Sequence, residues 1–182
     1  MSVFSSSGPI EDLNSGGPQA GPVQVTVRQV ELRTSQKGAQ YVNVVLTDDN
    51  DRDIYVNLFP NSKPKDPSQS LDSFYPYRFI KNFLTVAGFY NNGSVDLPSW
   101  DALKGRQLQL ICQLDDYTKR DGSTVKIRVP HSYYTANFLS AKEFADGATE
   151  ASSFVKNVEY VKNNPNVPHK NDTTANSGDE PF

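Results

Sequence analysis

The chain has 182 residues, of which 36% are hydrophobic, and its formal net charge is −3. This length suffices for one domain of about 120 residues with polar flanks. No apolar run is long enough to cross a bilayer, and the opening MSVFSSSGPI lacks the basic and apolar regions of a secretory signal, so we expect a cytoplasmic protein without membrane contact. A single cysteine, Cys112, excludes an internal disulfide framework, and its strand-like surroundings LICQL predict a small buried side chain rather than a catalytic thiol.

Composition divides the chain into three parts. Residues 1–22 are rich in Ser, Gly and Pro, which predicts a flexible N-terminal arm. Residues 23–146 carry the apolar patterning of a folded domain. From residue 147 the pattern fades, although ASSFVKNVEYVKNN is compatible with one more helix or an edge element. The polar end of the chain cannot offset its ordering entropy, so residues 147–182 are predicted to form a mobile C-terminal tail.

Alternating apolar and polar residues predict five β-strands. They span residues 23–33, 39–47, 52–59, 106–114 and 125–129. In the first strand the apolar phase shifts, which predicts a β-bulge near Arg28 and Gln29. A bulge bends the strand, so it could pair on both sides and help to close a small barrel.

One helix is predicted between the third and fourth strands. It begins near Asp72 or Ser73, with Pro76 in its first turn and Gly88 as its C-terminal cap. Its apolar stripe consists of Phe79, Ile80, Phe83, Leu84 and Ala87. Three strands, a helix and two strands predict a mainly β protein with a five-stranded barrel of the oligonucleotide/oligosaccharide-binding (OB) type. Another five-stranded barrel or an open α+β sheet would give similar alternation and stays open.

Three aromatic rings are expected on the outer face of the second and third strands. If Val42 and Val44 face the core, the alternation turns Tyr41, Tyr55 and Phe59 outward. In an OB barrel this face is the ligand platform, and a nucleobase stacked on such a ring contributes about 1–3 kcal/mol. The alternative is that the helix or an arm covers these rings as a second small core.

Basic residues gather in the loops beside that face, and Lys126 and Arg128 are expected to point outward from the fifth strand, where they would contact phosphate. Besides the three rings, the predicted DNA-binding residues are Lys37, Lys63, Lys65, Tyr117, Lys119, Arg120, Lys126 and Arg128. By segment, residues 23–146 carry a formal charge of +1 and each flank carries −2. A mildly basic domain with acidic flanks suits a protein that binds a polyanion and releases it.

The sequence contains no strong catalytic or metal-binding motif. DNDRD resembles the start of a calcium loop, but Ile54 stands where that loop needs Gly and Pro60 where it needs Glu. His131 and His169 have no partner at metal-ligand spacing, and no phosphate loop, nucleophile motif or paired-acid motif is present. We therefore expect no catalytic residue, no metal and no cofactor.

The chain ends in SGDEPF. The predicted barrel, the acidic tail and the terminal Phe together resemble the single-stranded DNA-binding proteins of bacteria and their phages. The phage type is the closer analogy, because the opening strand of the bacterial proteins is not found. The resemblance implies that the tip docks into basic, apolar pockets on replication or recombination proteins. The tip comprises Asp179, Glu180, Pro181 and Phe182.

The resemblance implies a non-enzymatic, sequence-nonspecific protein of DNA replication, recombination and repair that protects single-stranded DNA, located in the bacterial cytoplasm if it is phage-encoded. Two alternatives remain. One is an OB-type module that binds protein, RNA or sugar, and the other is an enzyme such as a nuclease that uses the acidic turn. Homodimerisation stays open.

Overall fold

The computed structural model describes residues 17–169 as a mainly β protein. Five long strands form one sheet: β1 (Gly21–Thr34), β2 (Gln40–Asp48), β3 (Asp53–Leu58), β6 (Gln107–Thr118) and β7 (Thr124–Tyr134). Two short strands, β4 (Tyr90–Asn91) and β5 (Ser94–Val95), form a separate hairpin between them. The five strands predicted from alternation are confirmed, and the last two extend further than predicted.

The strand order in the sheet is β3-β2-β1-β6-β7, and all neighbours are antiparallel. The central strand β1 pairs with β6 through its first residues and with β2 through the remainder. Its register shifts between Val27 and Gln29, so the predicted bulge is confirmed. Within residues 17–169 no ladder joins the outermost strands β3 and β7, so the sheet is not closed into a barrel.

The predicted helix is present as α1 (Tyr75–Leu84), with Pro76 in its first turn. It begins slightly later than predicted, because Ser70 caps a separate 3-10 turn, Leu71–Ser73, by accepting a hydrogen bond from the Asp72 amide. A π-type turn, Thr85–Phe89, follows α1. Gly88 lies there with φ of 92°, a left-handed conformation that glycine adopts without strain and that ends the helix.

The main core lies between the inner face of the sheet and α1. Its fully buried side chains include Val44, Leu46, Leu58, Phe83 and Leu110. Cys112 belongs to this core, and burial raises the pKa of its thiol to about 12. The thiol therefore stays protonated at neutral pH, which confirms the predicted buried side chain.

Two helices follow the sheet, α2 (Ala141–Ala145) and α3 (Ser152–Asn163). Val161 of α3 packs with Ile111 and Tyr134 in a second buried cluster. Beyond α3 the backbone pairs with β6, since the Leu114 amide donates to the Pro165 carbonyl over 2.8 Å and the Val167 amide donates to the Leu114 carbonyl over 2.8 Å.

This packing corrects the predicted boundary between domain and tail. Residues 152–167, which fall inside the predicted tail 147–182, are folded against the outer side of the sheet. The reason is that Ile111 and Tyr134 leave an apolar surface there that the amphipathic α3 covers. The predicted N-terminal arm lies mostly outside the described residues. None of the helices in residues 17–169 has the length and apolar character needed to span a membrane.

Candidate functional site

Two aromatic rings on β3 are open to solvent. The side chain of Tyr55 is 62% exposed and that of Phe59, just after the strand, is 38% exposed. Tyr41 on β2 is half-buried, and its ring centroid lies 5.5 Å from that of Phe59. The three predicted rings thus lie on the outer face, where Tyr55 and Phe59 offer surface to a ligand and Tyr41 supports Phe59.

The outer face between these rings is more tightly packed than predicted. Asn43 and Val45, which alternation places on the exposed face, are buried. In the register of the sheet Val45 lies between Gln29 and Tyr55, whose side chains flank it. The Asn43 side-chain amide donates to Asn57 Oδ1 over 2.8 Å. The part of the sheet between the rings is therefore buried and packed.

An open cleft of about 850 Å³ separates β3 from β7 and extends to α1. Tyr55 and Phe59 line its β3 side, and an aromatic cluster lines the opposite side. In that cluster Tyr133 meets Phe79 edge-on, with centroids 5.4 Å apart, and meets Phe83 in the same way at 5.6 Å. Burial raises the pKa of Tyr133, so its hydroxyl is neutral. The cleft thus combines an aromatic wall with two exposed rings at its mouth.

Exposed cations lie in turns at the two opposite ends of the sheet. Lys37 lies in the β1–β2 turn, and Lys63 and Lys65 follow β3. Lys119 and Arg120 lie in the β6–β7 turn, which is at the opposite end because β6 runs antiparallel to β1. None of these five forms an ion pair with any residue in the described range 17–169, so their charges remain available to an anion.

The two predicted cations of β7 are already engaged. Lys126 is exposed but its Nζ lies 2.8 Å from Asp116 Oδ1. Arg128 does not point outward as predicted. Its side chain is only 9% exposed, and its Nη2 lies 2.8 Å from Oδ2 of Asp48. Tyr117 of β6 is exposed beyond Asp116. Arg128 is therefore a structural residue, because a buried guanidinium held by a carboxylate cannot reach phosphate.

Asp48 belongs to the acidic turn that the nuclease alternative would use, yet it is buried. Its Oδ1 accepts hydrogen bonds from the amides of Asn50, over 2.9 Å, and Arg52, over 3.0 Å. Burial acts to raise the pKa of Asp48, but these amides and Arg128 outweigh it and hold the pKa below its ordinary value. Asp48 thus stabilises the β2–β3 turn.

Several aromatic residues near the cleft were missed from the sequence. Tyr75 at the start of α1 lines the cleft and is exposed. His131 of β7 also lines it and stacks on Tyr160 of α3, with centroids 5.1 Å apart and planes 21° apart. The aromatic runs FYPYRF and PHSYY were the available signals. They were uninformative alone, because strand and helix positions do not reveal which elements meet.

Within residues 17–169 no group of three or more His, Cys, Asp or Glu side chains is placed to hold a metal ion. The predicted partner-binding tip, Asp179, Glu180, Pro181 and Phe182, lies outside the described residues. Comparison with protein-family models gives no match, and comparison with curated protein sequences gives none either. Function must therefore be inferred from the geometry of this face and cleft.

Proposed function

We propose that the chain is a non-enzymatic, sequence-nonspecific single-stranded DNA-binding protein of DNA replication and recombination. The observation that carries the proposal is the exposure of Tyr55 and Phe59 on the outer face of the sheet, with available cations in the turns at both ends of the sheet. Exposed rings of this size are costly in water, and bases stack on them without regard to sequence because every base has a π-face. Cations at the two ends would hold the sugar-phosphate backbone.

The topology supports an OB-type description of the domain. Strand order β3-β2-β1-β6-β7 with α1 in the connection from β3 to β6 matches a five-stranded Greek-key arrangement. Following the antiparallel pairings along the sheet, β3 and β7 both run parallel to β1, and the two border the same cleft. OB folds are often only partly closed, so an open seam between these strands fits the class.

A single strand suits this surface better than a duplex. Stacking on Tyr55 and Phe59 requires bases whose faces are free, whereas duplex bases are stacked on each other. The Tyr55 and Phe59 side chains are exposed, and the neighbouring Asn43 is buried and engaged with Asn57. Every base has a π-face, so stacking on these two rings would not depend on base identity.

We further propose that the tip formed by Asp179, Glu180, Pro181 and Phe182 recruits replication or recombination proteins. Its support comes from sequence: the two carboxylates would steer the tip and the Phe182 ring would anchor it in a basic, apolar pocket. Phe182→Ala should lose these partners in a pull-down from host cells while keeping the DNA affinity of the intact chain. Identical partner sets for the two proteins would contradict the proposal.

The DNA-binding proposal is tested by fluorescence anisotropy with a labelled single strand at several salt concentrations. Matched duplex DNA, single-stranded RNA and an oligosaccharide serve as competitors. We expect tight, strongly salt-dependent binding of single-stranded DNA and weak competition by the duplex. No binding of single-stranded DNA would reject the proposal, and preferential binding of RNA or sugar would favour the alternative OB-type module.

A further inference from the structure

We propose that His131 and Tyr160 form a second stacking platform, so that the bound strand crosses the cleft between β3 and β7 and continues over α3. This inference rests on the proposed function and extends it. It assigns the C-terminal helix to the DNA-binding surface, although the sequence places that helix in the tail.

The two rings form an exposed stacked pair. Their centroids lie 5.1 Å apart with planes 21° apart, and Tyr160 is 44% exposed while His131 is exposed as well. His131 also lines the cleft whose opposite side carries Tyr55 and Phe59. One continuous surface therefore runs from the β3 rings across the cleft to the pair. A stacked pair with an open face can accept a further base.

One face of α3 borders the cleft. Ser153, Lys156 and Tyr160 are spaced i, i+3 and i+7, so they share a side of the helix. Ser153 lines the cleft, and Tyr160 contacts His131, which lines it too. Lys156 therefore lies between them at the rim. It is exposed and forms no ion pair within residues 17–169, so it is available to a phosphate beside the stacked base.

The platform is held rigidly against the sheet. Asn157 Nδ2 donates to the Tyr134 hydroxyl over 2.6 Å, and Val161 is buried beside Ile111. After the helix, Gln113 Nε2 donates to the Asn164 carbonyl over 2.8 Å. A helix fixed on several sides needs no ordering when DNA binds, so stacking on Tyr160 translates into affinity with little entropic loss.

A nucleic acid fits this surface better than a protein. The ring of Tyr160, the cation of Lys156 and the hydroxyl of Ser153 follow one another along the rim of the cleft. This order matches the alternation of bases and phosphates in a single strand. A protein interface would instead centre on a contiguous apolar patch. Protein binding at this face is an outcome that the test below distinguishes, because it would leave DNA affinity unchanged when Tyr160 is replaced.

The first experiment compares Tyr160→Ala with the matched control Tyr77→Ala. Tyr77 is an exposed ring on α1 that lines a separate cleft next to Trp100. Binding of an oligothymidylate longer than about 16 nucleotides, which covers the usual OB site size, is measured by anisotropy. We expect Tyr160→Ala to weaken binding by about fivefold or more and Tyr77→Ala to leave it unchanged. Thermal melting verifies that both variants fold.

The second experiment uses two lysines of the same helix. Lys156→Ala and Lys162→Ala remove the same charge, but Lys162 lies on a different side of α3. We expect Lys156→Ala to lower the slope of log K against log salt by about one and Lys162→Ala to change it much less. Equal effects would indicate general electrostatics and would overturn the platform.

A third measurement needs no substitution. The intact chain is crosslinked by light to a single strand carrying 5-iodouracil, and the modified peptides are identified by mass spectrometry. Crosslinks to His131 or Tyr160 support the platform, whereas crosslinks restricted to β3 overturn it. If the intact chain binds single-stranded DNA and Tyr55→Ala weakens binding, but Tyr160→Ala and Lys156→Ala do not, only this inference fails. If the intact chain does not bind, the proposed function fails with it.

Discussion

Arg128 and Asp48 form a buried ion pair that joins β7 to the end of β2. The Nη2 to Oδ2 distance is 2.8 Å, and the two side chains are 9% and 5% exposed. Within residues 17–169 no strand ladder joins β2 to β7, so the contact links two strands that are not neighbours in the sheet. Charge therefore connects the two halves of the sheet at this point, in addition to the ladders through β1 and β6.

Replacing one partner of this pair should strongly destabilise the fold. Arg128→Ala leaves the Asp48 carboxylate buried without its counter-charge, which costs about 3–5 kcal/mol. Lys126→Ala is the matched control, because its pair with Asp116 is exposed and should matter little. Urea titration of both variants measures how much each substitution lowers the free energy of unfolding. Equal stabilities of the two variants would contradict the structural role of Arg128.

The same pair predicts an acid-sensitive contribution to stability. The folded-state pKa of Asp48 lies below its ordinary value of about 3.9, so its contribution is fully present above that pH and is lost as the pH falls through the folded pKa. Asp48→Asn should therefore be less stable than the unmodified chain at neutral pH. The difference should narrow as the pH falls below about 3.9. Urea titrations at a series of pH values measure this gap, and a gap independent of pH would exclude the ionised carboxylate as its cause.

The exposed rings should contribute to binding and little to folding. Tyr55→Ala and Phe59→Ala are each expected to weaken single-stranded DNA binding by about 1–3 kcal/mol. The melting temperature should change little, because the side chain of Tyr55 is largely in solvent. Anisotropy and thermal melting give the two readouts. Loss of folding in place of binding would show that the rings belong to the core.

The turn between β6 and β7 should set much of the salt dependence. Replacing both Lys119 and Arg120 by Ala removes two exposed cations and should flatten the slope of log K against log salt by roughly one to two. Lys126→Ala should have a smaller effect, since Asp116 already neutralises that charge. A slope unchanged by the double replacement would place the DNA elsewhere on the domain.

The C-terminal helix should be required for stability. A chain that ends at Glu150 lacks α3 and exposes Ile111 and Tyr134, so we expect the free energy of unfolding to fall by at least about 2 kcal/mol. A chain that ends at His169 keeps α3 and the backbone pairing at Leu114 and should be more stable than the chain that ends at Glu150. Equal melting temperatures for the two truncated chains would show that α3 does not stabilise the domain, as the predicted domain boundary at residue 146 implies.

Local pattern was sufficient for the five long strands, for α1 and for their order. Period-two alternation located the strands of the sheet, the phase shift near Arg28 located the bulge of β1, and Gly88 located the end of the helix segment. Alternation also turned Tyr55 and Phe59 outward correctly, since neighbouring residues of a strand face opposite sides. Alternation does not fix burial towards the end of a strand, since Leu32 has the same apolar phase as the buried Val30 and is 65% exposed.

The sequence by itself therefore determined the mainly β character, the order of strands and helix, and the outward position of the rings on β3. These properties depend on residues adjacent in the chain. Only the tertiary structure decided that Arg128 is buried against Asp48, that α3 covers Ile111 and Tyr134, and that His131 meets Tyr160 beside the cleft. Each of these contacts joins residues more than about 20 positions apart, whose proximity depends on how sheet and helices pack and leaves no periodic signal in the chain.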